Sequence, residues 1–188
     1  NSSGLSFMQM NITNTHPPVP SLVNTFDGHK TNGVFGETDY GYITTDTNSK
    51  EVVIISIAGS SFTETGYFNA PGNGTGKGIF VLGNVGYMTA GSKLYTFDLS
   101  SKSGSRTILD SDGVTLAGVA HDLKVVGNYA YVVIEQSSPQ LQIVDVSNPS
   151  NLLIVGQATV SAEDGKDIFI NSIATRAYLA TENSSSKK

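Results

Sequence analysis

Short runs of alternating apolar and polar residues, separated by Gly, Asn, Pro and Ser, recur along the whole chain. The clearest example is residues 127–156, with apolar runs at Tyr129–Ile134, Leu141–Val146 and Leu152–Val155. The last two runs are separated by Asn148-Pro149-Ser150-Asn151, a typical turn sequence. Runs of β-branched and aromatic residues bounded by such turns predict β-strands. This stretch is therefore predicted to be a meander of antiparallel strands.

The same pattern recurs in weaker form, and two markers keep the same spacing. A tyrosine in the second strand of each unit recurs after 45, 44 and 47 residues, at Tyr42, Tyr87, Tyr131 and Tyr178. The last polar residue of the next strand recurs after 45, 42 and 47 residues, at Asn11, Ser56, Asp98 and Asp145. A period of about 40–50 residues built only of strands is typical of β-propeller blades. The sequence predicts an all-β propeller of four-stranded blades of about 45 residues.

The repeats predict one domain, residues 1–188, divided at the turns between blades. The predicted parts are a half blade at 1–27, whole blades at 28–73, 74–117 and 118–163, and a half blade at 164–188. The first half blade carries its third and outer strands at Leu5–Ile12 and Ser21–Phe26, and the last carries the two inner strands at Asp167–Ile170 and Ala177–Thr181.

These two halves are complementary. Pairing them would make one composite blade and close a four-bladed ring, which removes exposed sheet edges. The alternative is that the chain is part of a larger seven- or eight-bladed ring, closed by a second chain or by a longer parent protein.

The third repeat resembles a known family. The segments GNYAYVV (127–133), LQIVDVSNPSN (141–151) and LLIVGQA (152–158) are similar to the LVIVD-repeat family of bacterial and archaeal surface β-propellers. Elsewhere the pattern weakens, because Asn11 and Ser56 stand where the motif has Asp. The resemblance implies a fold and a surface location, but no shared biochemical activity, since propellers host many functions.

Composition narrows the class of protein. Charged residues make up 14% of the 188 residues, 20 are glycine and none is cysteine, so disulfides and thiolate metal sites are excluded. The net charge of −5 without a basic run argues against nucleic acid and anionic membranes as partners. No run is long and apolar enough to insert into a membrane, and the first residues do not form a signal peptide. We expect a mature or trimmed extracellular or cell-surface form.

No catalytic or metal site is predicted. The histidines, His16, His29 and His121, lack the spacing of a zinc site or a catalytic triad. Asp110-Ser111-Asp112-Gly113 resembles the start of a calcium loop, but the third acidic ligand and the closing Glu are missing, which favours a polar turn. We therefore expect no catalytic residues, no metal and no cofactor.

Aligning the repeats brings out one constellation of polar residues. Directly before the innermost strand stand Lys77, His121 and Lys166, with Asn32 at the corresponding place in the first whole blade. In a propeller this position lies at one face, close to the central channel. The four residues are predicted to form an anion site at the channel mouth for a carboxylate, sulfate or phosphate. The alternative is that the neighbouring Asp122 and Asp167 neutralise the basic groups.

Smaller features carry predictions of their own. The repeated tyrosines are expected to pack between blades rather than to form a binding ring. Asp98 and Asp145 are expected to cap turns by accepting backbone N–H groups. Gly83-Asn84 is expected to form a two-residue hairpin turn.

The leading functional interpretation is a non-enzymatic binding or scaffold module, at the cell surface or secreted, that presents loops to a protein or glycan. It could be the head domain of a longer surface or pilin-like filament protein, and self-association of the chain is one way to close the ring. The alternative is a propeller hydrolase or lyase acting on extracellular polysaccharide. Its acidic groups would come from Glu37, Asp39, Asp46, Glu51 and Glu135.

Overall fold

A computed structural model describes residues 5–136, 138–160, 163–171, 173 and 175–182, and in this part of the chain it contains seventeen β-strands and no helix. The strands are β1 (Leu5–Ile12), β2 (Pro20–Asp27), β3 (Thr31–Gly36), β4 (Tyr40–Thr45), β5 (Val52–Ser56), β6 (Thr63–Phe68), β7 (Gly76–Leu82), β8 (Val85–Ala90), β9 (Lys93–Asp98), β10 (Gly104–Ser105), β11 (Val114–Thr115), β12 (Val119–Val126), β13 (Tyr129–Glu135), β14 (Leu141–Asp145), β15 (Leu153–Ala158), β16 (Gly165–Ile170) and β17 (Ala177–Thr181). The all-β prediction is confirmed.

The strands form five separate sheets that follow one another along the chain. The first contains β1 and β2 and the last contains β16 and β17. Between them lie three larger sheets, built on the antiparallel meanders β3–β6, β7–β9 and β12–β15. We call these five sheets the N-terminal half blade, blades 1, 2 and 3, and the C-terminal half blade.

Local sequence explains the hairpins within the blades. Gly83 has φ +60° and lies in the two-residue turn that pairs Leu82 with Val85, so the predicted Gly83-Asn84 hairpin is confirmed. Gly127 has φ +58° and lies in the corresponding turn between β12 and β13, where Val126 pairs with Tyr129. The predicted turn caps are also present, because Asp98 accepts the backbone N–H of Ser100 at 3.0 Å and Asp145 that of Ser147 at 2.9 Å.

Blade 2 departs from the regular meander at its outer edge. Its fourth position is occupied by the two-residue β11, which pairs antiparallel with β9. The preceding β10 pairs instead with β6 of blade 1, in parallel orientation. Between them, Ile108 forms a single antiparallel bridge with Phe97. The connection after β9 therefore joins two blades.

Each hydrophobic cluster lies between two consecutive sheets. Phe68 of blade 1 and Phe97 of blade 2 stack with ring centroids 4.4 Å apart, and Tyr87 of blade 2 packs with Leu123 and Val132 of blade 3. The half blades are covered in the same way: Phe7 packs on Ile43, Val53 and Ile55, and Ile168 on Val133 and Leu141. Face-to-face packing of consecutive sheets is the arrangement of propeller blades.

The innermost strands β3, β7, β12 and β16 pack against one another in chain order. Two glycines permit this close approach. A Cβ on Gly33 would lie 2.4 Å from the carbonyl oxygen of Lys77, and one on Gly78 would lie 3.0 Å from Cα of Asp122. The four strands therefore lie next to one another in chain order.

The predicted composite blade is not formed among the described residues, because the two half blades are separate two-stranded sheets at opposite ends of the series. The tyrosine prediction is correct for Tyr42 and Tyr87, which are buried. It is wrong for Tyr178, which is 55% exposed, because no sheet of the described residues packs on that face of the C-terminal half blade.

Candidate functional site

The starts of the four innermost strands surround an open cavity of about 420 Å³. Asn32 of β3, Lys77 of β7, His121 of β12 and Lys166 of β16 all line it, together with Asp122, Lys124 and Asp167. The structure thus brings together all four residues that the repeat alignment placed at one face. We call this cavity the channel-mouth pocket.

Glu135, the last residue of β13, links two of the basic groups. One carboxylate oxygen lies 2.9 Å from Nε2 of His121, and the other accepts a hydrogen bond from Nζ of Lys166 at 2.7 Å. Glu182 lies on the other side of Lys166, at 2.9 Å. Hydrogen bonds from Lys166 and His121 hold the pKa of Glu135 below its usual value, and both carboxylates raise the pKa of Lys166. These side chains form one connected cluster of basic and acidic groups.

Asn32 is held in place by two acceptors. Its Nδ2 donates to a carboxylate oxygen of Asp46 at 2.6 Å and to the carbonyl oxygen of Gly76 at 2.8 Å. Lys30 contacts the other oxygen of Asp46. The hydrogen bond from Asn32, followed by that from Lys30, lowers the pKa of Asp46. Asn32 therefore ties β3 to β7 and holds a carboxylate beside the pocket.

Two acidic residues of the pocket lie against each other. Asp122 hydrogen-bonds to Asp167 of the next blade, and Nζ of Lys124 lies 2.9 Å from the Asp122 carboxylate. Burial, then the bond to Asp167, raises the pKa of Asp122, while Lys124 opposes the shift. Among the described residues, the carboxylates within 4.0 Å of His121 and Lys166 are those of Glu135 and Glu182, not those of Asp122 and Asp167.

Lys77 differs from the other basic residues of the pocket. Within the described ranges, no carboxylate lies within 4.0 Å of its Nζ, although its charge contributes to lowering the pKa of Asp46. Its backbone carbonyl accepts a hydrogen bond from the Thr44 hydroxyl, which fixes the backbone at this position. The ammonium group of Lys77 is thus free to meet an anion in the pocket.

Four of the five acidic candidates for polysaccharide chemistry are engaged in separate contacts. Glu37 accepts a hydrogen bond from the Tyr42 hydroxyl at 2.5 Å and lies 3.5 Å from Lys102. Glu51 is buried and accepts the backbone N–H of Ala70. Asp46 and Glu135 occupy the separate contacts described above.

The sequence pattern does not reveal the partners of the basic groups, because it points to Glu135 only as a catalytic acid and does not single out Glu182. A cross-strand register would have found Glu135, because it pairs with Val119, two residues before His121. Glu182 lies just beyond β17, and only the packing of the last strands brings it to Lys166.

The described residues contain no group of three or more histidine or acidic side chains placed to hold a metal ion. No helix among them is long and apolar enough to cross a membrane.

Comparison with known proteins confirms the resemblance seen in the third repeat. A family model described as the LVIVD repeat matches residues 117–160. This range corresponds to blade 3, from just before β12 to just after β15. No curated protein sequence matches the chain.

Solved structures similar to this chain share its fold. A Bacteroides uniformis protein provisionally named a 6-phosphogluconolactonase superposes with a TM-score of 0.73 at 12% identity, over 97% of this chain and 59% of that protein. The computationally designed Ika4 protein superposes with a TM-score of 0.52 at 10% identity, over 83% of this chain and 94% of the designed one. At these identities the likeness concerns the fold, and the chain spans 59% of the length of the first neighbour.

Proposed function

We propose that this chain is a non-enzymatic binding module, in which a propeller scaffold carries a site for an anionic group at the channel-mouth pocket. The partner would be a glycan or protein that presents a carboxylate, sulfate or phosphate. The observation that carries the proposal is Lys77, whose ammonium group has no carboxylate partner among the described residues within 4.0 Å in a polar cavity of about 420 Å³. Charge-assisted hydrogen bonds to such a group are stronger than neutral ones.

The other basic residues would take a secondary part. His121 and Lys166 already share Glu135, so an incoming anion competes with that carboxylate for them. The amide nitrogen of Asn32 already donates hydrogen bonds to Asp46 and Gly76, so Asn32 would act by positioning β3 against β7. We therefore expect modest affinity, with Lys77 as the main contact.

A secreted or cell-surface location supports this role and is part of the proposal. The chain has few charged residues and no cysteine, and residues 117–160 match the LVIVD repeat. A head domain of a longer surface or filament protein is compatible with the same features. The hydrolase or lyase alternative has less support, because four of its five acidic candidates are engaged in separate contacts.

The test is anion binding measured by calorimetry and by thermal unfolding. Sulfate, phosphate and glucuronate serve as probes for the unmodified chain, Lys77→Ala and Lys93→Ala. Lys93 is a matched control on the same blade, because it carries the same charge but contacts the carbonyl of Asp112 outside the pocket. A bound anion raises the melting temperature by mass action.

We expect at least one probe to raise the melting temperature of the unmodified chain and of Lys93→Ala but not that of Lys77→Ala. Equal responses from both variants would contradict a site at Lys77. No response to any probe would contradict anion binding. Release of sugars from a panel of extracellular polysaccharides would favour the enzymatic alternative.

A further inference from the structure

The channel-mouth pocket holds acidic groups as well as the ammonium group of Lys77. Some carboxyl groups line the cavity directly, and others contact the basic or amide side chains of its wall. The acidic residues concerned are Asp122, Asp167, Asp46, Glu135 and Glu182. An anion that enters the pocket therefore comes close to carboxyl groups as well as to ammonium groups.

These carboxyl groups limit the charge that the pocket can accept. Like charges repel more strongly where water is partly excluded, and the Asp122 side chain is only 20% exposed. Lys124 and Lys166 are in ion pairs with Asp122 and Glu135, so among the described lysines of the wall only Lys77 is left unpaired. One unpaired ammonium group matches a ligand with one negative charge better than it matches the two charges of sulfate.

The contact between Asp122 and Asp167 provides partners for hydroxyl groups. A hydrogen bond between two carboxyl groups requires a proton on one of them, and their remaining lone pairs can accept hydrogen bonds. Nζ of Lys124, which lies 2.9 Å from the Asp122 carboxylate, adds N–H donors beside them. A hydroxyl group both donates and accepts, whereas a bare anion only accepts. This wall of the pocket therefore suits hydroxyl groups better than a second negative charge.

Lys77 and the acidic pair lie on adjacent innermost strands. The strands approach so closely that a Cβ on Gly78, the residue after Lys77, would lie 3.0 Å from Cα of Asp122. Asp167 is fixed on the following strand, where its carboxylate accepts the backbone N–H of Ile168 at 2.8 Å. The ammonium group and the acidic pair thus line one cavity of about 420 Å³, a size typical of small-molecule sites.

We propose that the channel-mouth pocket binds one carboxylated sugar residue, a uronic acid, with its carboxylate at Lys77 and its hydroxyl groups at Asp122 and Asp167. A uronic acid carries one negative charge and several hydroxyl groups on a single ring, and the pocket presents a partner for each. The inference rests on the proposed function and narrows its ligand from anions in general to a residue of a glycan.

The first test uses probes that separate charge from hydroxyl groups, measured by calorimetry on the unmodified chain. Glucuronate has both, cyclohexanecarboxylate has the charge on a ring of the same size, glucose has only the hydroxyl groups, and sulfate has two charges. We expect glucuronate to bind about tenfold more tightly than cyclohexanecarboxylate, the effect of one or two hydrogen bonds. It should also bind more tightly than glucose and sulfate.

The second test is Asp167→Ala, which removes an exposed side chain of the pocket. We expect weaker glucuronate binding but equal or tighter sulfate binding, because a hydroxyl partner and a repelling charge are lost together. Asp145→Ala is the matched control, since Asp145 also accepts a backbone N–H, that of Ser147, but does not line the pocket. It should leave both affinities unchanged, whereas Lys77→Ala should weaken the binding of both anions.

The outcomes distinguish this inference from the function on which it rests. Equal affinities for glucuronate, cyclohexanecarboxylate and sulfate, all lost in Lys77→Ala, would leave an anion site and overturn the assignment of a sugar. Parallel losses of glucuronate and sulfate binding in Asp167→Ala would contradict it as well. Tighter binding of N-acetylalanine, which represents a protein carboxyl terminus, than of glucuronate would overturn it in favour of a protein partner. No binding of any probe would overturn both the inference and the anion site.

Discussion

Glu51 and Ala70 are joined by a buried hydrogen bond: a carboxylate oxygen of Glu51 lies 3.0 Å from the backbone nitrogen of Ala70. Glu51 is 0% exposed and Ala70 is 6% exposed. Glu51 directly precedes β5, and Ala70 lies just after β6, the next strand of blade 1. An acidic side chain thus satisfies a backbone group that no strand pairs. Burial raises the pKa of Glu51, while backbone hydrogen bonds, including that from Ala70, oppose the shift.

Replacing Glu51 tests this arrangement. Glu51→Ala leaves a buried N–H without an acceptor, which typically costs about 1–3 kcal/mol. For a chain of this length that corresponds to a fall in melting temperature of roughly 3–10 °C. Glu51→Gln retains an oxygen acceptor without the buried charge and should unfold at or above the temperature of the natural protein at pH 7.

The effect of Glu51→Gln on stability should depend on pH, because the pKa of Glu51 is raised in the folded state. A pKa raised in the folded state contributes stability below the unfolded pKa, and that stability is lost as pH rises through the folded pKa. The advantage of Glu51→Gln should therefore be larger at pH 7 than at pH 4. Melting curves at both pH values measure it. Equal destabilisation by Gln and Ala would show that the negative charge itself is required.

Gly86 leaves space for the ring of Phe97. A Cβ at residue 86 would lie 2.2 Å from the ring, which is fully buried and stacked on Phe68. Gly86→Ala should destabilise the protein by about 1–3 kcal/mol through overpacking. Gly36→Ala is the control, because nothing lies within 4 Å of its Cβ position. In the double variant Gly86→Ala/Phe97→Leu, denaturant unfolding should show less loss than the sum of the single variants; additive losses would refute the steric explanation.

The contact between Asp122 and Asp167 predicts a stability that falls from acid to neutral pH. The pKa of Asp122 is raised in the folded state, so its contribution is present below the unfolded pKa and is lost above the folded one. Asp122→Asn should therefore raise the melting temperature at pH 7 by about 2–4 °C for each kcal/mol gained, and by less at pH 4. Asp145→Asn is the control, since hydrogen bonds from Ser147 lower the pKa of Asp145. A gain from Asp145→Asn at pH 7 would contradict this explanation.

Glu135 should oppose anion binding. Its carboxylate lies 2.9 Å from His121 and 2.7 Å from Lys166, so Glu135→Gln removes a negative charge beside both, while Lys166 keeps its contact with Glu182. A gain of about 1 kcal/mol, the upper range for a partly exposed pair, is roughly a fivefold lower dissociation constant. Sulfate titration by calorimetry measures it.

Glu64 offers a matched control for that experiment. It also bridges a histidine and a lysine, His29 at 3.3 Å and Lys50 at 2.6 Å, but it does not line the channel-mouth pocket. Glu64→Gln should leave sulfate affinity unchanged. Similar gains from both variants would indicate a general effect of net charge rather than a site.

Much of the candidate site followed from repeat alignment alone. Equivalent positions of equivalent strands lie at equivalent heights around the axis, so Asn32, Lys77, His121 and Lys166 were expected together and do line one cavity. The ion pairs of the pocket could not be predicted from the repeat alignment. Which carboxylate meets Lys166 depends on the packing of β16 against β13 and on the position of Glu182, and neither contact has a repeated sequence marker.

The sequence by itself determined that the chain is all-β and where several of its tight turns lie. These features are local: alternation over a few residues sets which side chains share a face, and Gly, Asn and Pro set where the chain reverses. Only the tertiary structure decided that Asp122 contacts Asp167, that Lys77 has no carboxylate partner within 4.0 Å in the described chain, and that Tyr178 is exposed. These outcomes depend on how whole sheets stack and where the series of sheets stops, which no short segment encodes.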